Sequence, residues 1–104
     1  LRDIRKCGEI FKSKLFRPPH GRLSKKQRIA LGKEYEIIMW DVLSGDFDTN
    51  LNGEECYNAV VNNVENGSIV VFHDSKKAAP RLKIALPKIL KELSDRGYTF
   101  KAIK

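Results

Sequence analysis

The sequence predicts an α/β fold with a parallel sheet, and three observations carry that prediction. Helical and strand-like patterns alternate four times along the 104 residues. The strand-like segments are short and continuously apolar, above all Ile-Val-Val-Phe at 69–72, as in strands buried on both faces. The connections are long enough for helices, and crossovers of that kind join parallel neighbours.

Taken in order, residues 2–14 place Ile4, Cys7, Ile10 and Phe11 at helical spacing. They predict an amphipathic helix over the sheet, with Lys12 and Lys14 near its carboxyl end. Leu15 and Phe16 follow as a very short strand ending at Arg17, because Pro18-Pro19 removes two amide donors and forces Arg17 to be extended. Gly21 closes the turn. Ser24 and Gln27 have the spacing of a capping box, which opens a short helix ending near Gly32. Residues 35–42 contain Ile37, Ile38, Met39 and Trp40 in one run and predict the second strand, ending at Asp41 or Val42.

The polar loop 43–52 exceeds the usual two to six residues of such connections, and long loops at this edge tend to carry function. Asn52 opens a third helix whose inward residues are Cys56, Ala59, Val60 and Val64, with Asn66-Gly67 as its stop. After strand 69–72, Leu82, Ala85, Leu86, Ile89, Leu90 and Leu93 mark the last helix. Gly97 ends it, and Pro87 inside it predicts a bend. Residues 98–103 alternate toward a final strand.

With 41% hydrophobic residues the chain can bury a modest core. No apolar run approaches the roughly 20 residues of a membrane span, and the first residues form a charged helical pattern, unlike a secretion signal. The sequence starts as if cut from something longer. A net charge of +7 and a pI near 9.6 suit anionic partners. The cations are spread over every segment, however, as on a solvated surface. There is no glycine-rich phosphate loop and no interleaving of aromatic and basic residues, so no nucleic-acid partner is expected. Cys7 and Cys56 both fall on apolar helical positions and read as buried thiols.

Parallel strands share one carboxyl edge, where α/β folds bind their ligands. Segments 17–21, 41–48 and 73–74 each follow a predicted strand. They would bring Arg17, His20, Asp41, Asp46 and His73 to one rim. A histidine that only caps its loop is the plain alternative for His73.

Three rim segments carry a resemblance. Phe-Arg-Pro-Pro-His-Gly at 16–21, Met-Trp-Asp-Val-Leu-Ser-Gly-Asp-Phe at 39–47 and Ile-Val-Val-Phe-His-Asp at 69–74 resemble the third, fourth and fifth motifs of the NodB-type polysaccharide deacetylases, carbohydrate esterase family four. The ending, Ala-Leu-Pro-Lys-Ile-Leu-Lys-Glu-Leu with Asp-Arg-Gly-Tyr-Thr-Phe, resembles that family's last helix and strand. The resemblance implies the C-terminal half of an irregular (β/α) barrel, so that residues 1–104 would be a single partial domain.

It also implies metal-dependent hydrolysis of N- or O-acetyl groups on a polysaccharide. The divalent metal, zinc or similar, would have its ligands outside this chain, with the family's Asp-Asp and His-x-x-x-His motifs. Carried over by motif, His73 would be the general acid and Asp46 its orienting carboxylate. Arg17 would pair with a base aspartate outside the chain. The backbone amide of His20 would bind the oxyanion, and Trp40 and Val71 would wall the acetyl pocket. Phe47 stands where many members have tryptophan, Leu43 where many have an acid, and His20 where an aromatic residue is usual. These departures bear on sugar preference more than on the reaction. The expected partners are a polysaccharide and either the N-terminal half of the domain or a second copy; the cell envelope or the exterior is the compartment implied. A basic α/β binding module and an inactive sugar-binding homologue are the alternatives.

Overall fold

The computed structural model describes residues 2–103 and forms two compact units, one ending at Met39 and one spanning Trp40–Ile103. In the first, helix α1 (Arg2–Phe11) precedes strand β1 (Leu15–Phe16), a 3₁₀ turn at Pro19–Gly21, helix α2 (Lys25–Leu31) and strand β2 (Glu36–Ile37). β1 and β2 pair in parallel, Leu15 opposite Glu36 and Phe16 opposite Ile37. The predicted capping box is present: the Ser24 hydroxyl accepts from the Gln27 amide and the Gln27 side chain accepts from the Ser24 amide.

Two expectations fail in this unit. α1 stops at Phe11, because Lys12 turns to a φ of 56° and leaves the helical region. Cys7 is exposed, and Ile10 is 73% exposed, since two strands of two residues make no layer wide enough to cover that face. The inward placement expected of Phe11 lies outside the described residues.

The second unit holds strand β3 (Val42–Leu43), helix α3 (Gly53–Val61), strand β4 (Val70–Val71) and helix α4 (Ala79–Asp95). β3 and β4 are parallel, with Val42 opposite Val70 and Leu43 opposite Val71. The single strand predicted over 35–42 is therefore two short ones, and Met39 between them is 42% exposed. Pairing along β1 runs out at Phe16 because the prolines follow. The chain finds a new partner in β4 only at Val42. Residues 98–103 join no strand among the described residues, and Phe100 is 56% exposed. A parallel strand needs a neighbour's donors and acceptors, and none is offered there.

Val42, Cys56, Val60, Val61, Ala85, Ile89 and Leu93 form the core of this unit, where α3 lies on α4. Asn52 and Glu55 make a second capping box, which satisfies the first amides of α3. α4 ends in a Schellman motif at Gly97 (φ 90°), the Gly97 amide donating to Ser94 and the Tyr98 amide to Leu93. Pro87 lies within an unbroken helix on its exposed side. Among the described residues no helix is long and apolar enough to cross a membrane.

The α3–α4 approach depends on Gly53, where a Cβ would come within 2.5 Å of the Ile84 Cβ. A Cβ cannot rotate away, so the helices would have to separate. Gly53→Ala is expected to destabilise the chain by about 1–3 kcal/mol, the usual cost of overpacking, and urea titration with circular dichroism measures it.

Candidate active site

β3 and β4 end side by side, and the loops after them carry Asp46 and His73. Asp46 is fully buried. The His73 backbone amide donates to Asp46 Oδ2 at 2.7 Å, and His73 Nδ1 lies 2.8 Å from Asp46 Oδ1. Both carboxylate oxygens thus face one residue. An ionised carboxylate only accepts, so Nδ1 carries the hydrogen in that contact and Nε2 is the nitrogen available for proton exchange. The His73 side chain is 42% exposed, which leaves the ring accessible while its orienting partner stays dry.

The Asp46 loop is held from several sides. Its amide donates to the Ser44 hydroxyl at 3.3 Å, and its carbonyl accepts from Arg81 Nε at 2.7 Å. Arg81, only 8% exposed, also donates from Nη2 to the Lys77 carbonyl. Among the described residues no buried side-chain nitrogen or oxygen lacks a hydrogen-bond partner. The Phe47 ring meets the His73 imidazole edge-on, with centroids 5.3 Å apart and planes at 66°.

The structure brings Asp46 and His73 together and places Val71, 9% exposed, on the strand that ends beside them. Trp40 is half-buried and lies on the amino side of β3. Asp41, expected on the rim, is at that amino end too. Its carboxylate accepts from the Ile69 amide at 2.6 Å and from the Ser68 hydroxyl at 2.9 Å, so it fixes the start of the β3–β4 pair. Arg17 and His20 belong to the first unit. Arg17 is exposed, and its Nε donates to the Ile38 carbonyl at 3.2 Å. His20 is exposed in the 3₁₀ turn with a φ of 58°.

Sequence reasoning missed Ser44 and Arg81. Arg81 has a signal in hindsight: it heads the row Arg81, Ala85, Ile89, Leu93, whose last three members are buried. A cation in phase with a core row needs an internal partner.

The residues present do not fit a metal. Among the described residues no group of three His, Cys, Asp or Glu could hold one, and both Asp46 oxygens are engaged by His73.

Close to this site, Cys56 is buried, and its thiol pKa is pushed up, first by burial and then by the negative charge of Asp46. With little thiolate and no access it should not react in the native chain, whereas exposed Cys7 should. Ellman titration is expected to count one thiol before denaturation and two after.

No protein-family model matches the chain. The peptidoglycan-N-acetylglucosamine deacetylase of Bacillus cereus is 35% identical over 88 residues, 83% of this chain and 41% of the relative. A solved family 4 carbohydrate esterase from Streptomyces lividans, in complex with acetate, superposes with a TM-score of 0.73 at 30% identity, over 88% of this chain and 45% of that one. Over this stretch the chain is similar in sequence and in fold to carbohydrate esterase family four. It spans less than half the length of either protein. A family four pseudoenzyme from Bacillus anthracis shares the fold, with a TM-score of 0.68 at 24% identity over 83% of this chain and 29% of that one.

Proposed function

We propose that the chain is the C-terminal half of a polysaccharide deacetylase domain and supplies the proton-handling part of its site. The observation that carries this reading is the Asp46–His73 pair, with a dry carboxylate on Nδ1 of a half-exposed imidazole at the carboxyl ends of parallel strands. Such a ring, held in one orientation, can give a proton from Nε2 to a departing sugar amine or hydroxyl. Asp46 fixes the orientation and faces the ring with a negative charge when it is protonated.

Arg17 is proposed to pair with a base carboxylate outside this stretch, as a guanidinium fork suits. The His20 amide is proposed to bind the oxyanion, and Trp40 and Val71 to wall the acetyl group. The divalent metal implied by the family would be held by residues outside this stretch. The acetate in the Streptomyces lividans esterase and the name of the Bacillus cereus relative support an acetylated polysaccharide as substrate. The partner proposed is the other half of the domain or a second copy. An open apolar hollow of about 250 Å³ on the first unit, lined by Ile4, Cys7, Leu15, Phe16 and Tyr35 among others, supports it.

The test is acetate release by the full-length protein, supplied with divalent metal, from N-acetylglucosamine oligomers and acetylated xylan. Release from either supports the reading; release from neither contradicts it. In parallel, the protein should show no submicromolar DNA or RNA binding. A tight complex that weakens about 10³-fold or more between 50 and 200 mM salt would favour a nucleic-acid module instead.

A further inference from the structure

We propose that Arg81 is a positioning residue for the Asp46–His73 pair, acting through the Asp46 backbone and not through the substrate. The proposal rests on the reading of that pair as the proton-handling group. Strand pairing fixes the two chains only as far as Ser44, whose amide donates to the Val71 carbonyl at 3.3 Å. Beyond it the two loops are joined by side chains. One buried guanidinium holds the Asp46 carbonyl by Nε and the Lys77 carbonyl by Nη2, so it ties the loop after β3 to the loop after β4. Those are the loops that carry the carboxylate and the imidazole.

The arrangement constrains Asp46 at three places. Ser44 holds its amide, Arg81 its carbonyl, and His73 both carboxylate oxygens. If the carbonyl were released, the peptide unit could rotate, and the carboxylate would no longer present one oxygen to the His73 amide and the other to Nδ1. Lysine could keep the charge but has a single donor centre and cannot span two carbonyls as the planar fork does. General acid catalysis depends on placement, and small displacements are expensive in rate.

The experiment compares Arg81→Lys and Arg81→Met with wild type in the full-length protein. Nitrogen-15 and proton NMR of the His73 imidazole, kcat and KM for acetate release, and Tm are recorded for each. Arg81→Lys should fold. It should show faster exchange or loss of the hydrogen-bonded Nδ1–H signal and a kcat lowered on the order of ten- to a hundredfold, with KM within about twofold of wild type by the same reasoning. Arg81→Met should show the same, more strongly, if it folds. A lower Tm with the wild-type Nδ1–H signal and kcat would overturn the proposal, as would a changed signal with unchanged kcat. If wild type itself releases no acetate, the deacetylase reading fails. The NMR arm still decides whether Arg81 positions His73: an unchanged signal in Arg81→Lys refutes it.

Discussion

His73→Ala in the full-length protein is expected to lower kcat by about 10²- to 10⁴-fold, the range that a general acid contributes. The loss should fall on kcat more than on KM, because the proton is needed as the bond to the leaving group breaks and not when substrate binds. Affinity for a divalent metal should not change, since His73 Nδ1 is engaged with Asp46 and no described cluster could ligate a metal. Kinetics alongside a metal titration check both statements. Loss of metal binding would make His73 a ligand and not an acid.

Asp46→Asn should be nearly as damaging, for a reason visible in the hydrogen bonds. The two Asp46 oxygens accept from two N–H groups of one residue, and asparagine has only one oxygen. Either the His73 backbone amide or its ring then faces an NH₂ donor. Turning the ring contact around makes Nδ1 the acceptor, which moves the hydrogen to Nε2 in the neutral form and changes the nitrogen that exchanges protons. The expected loss in kcat is again about 10²- to 10⁴-fold, as for a mis-set tautomer. A buried donor left without a partner adds about 1–3 kcal/mol of destabilisation. A variant with unchanged kcat would show that the carboxylate only caps the loop.

Much of this site was legible because short-range rules decide it. Pro18-Pro19 limits β1 to two residues, Ser24 with Gln27 opens α2, Asn52 opens α3, and the apolar run before His73 places that histidine at a strand end. Asp46 was reached through the motif resemblance, and the structure sets it against His73. What stayed hidden depends on pairing at a distance. An apolar run over 35–42 cannot show that Glu36 and Ile37 pair with β1 while Val42, at its end, pairs with β4. Asp41 and Asp46 are both acids in one segment, and only the register separates the one that clamps the amino end from the one that meets the imidazole. The failed strand at 98–103 and the exposed Cys7 share a cause: each has an apolar pattern without a neighbour to receive it.

The role of His73 as the acid that protonates the leaving group is tested most directly by varying that group. In the full-length protein, wild type and His73→Ala are compared on an N-acetylglucosamine oligomer, whose amine must be protonated to leave, and on 4-nitrophenyl acetate, whose phenolate leaves without help. A large His73→Ala defect on the oligomer and a defect of less than about tenfold on the aryl ester is the result expected of a general acid. An equal defect on both substrates would contradict it.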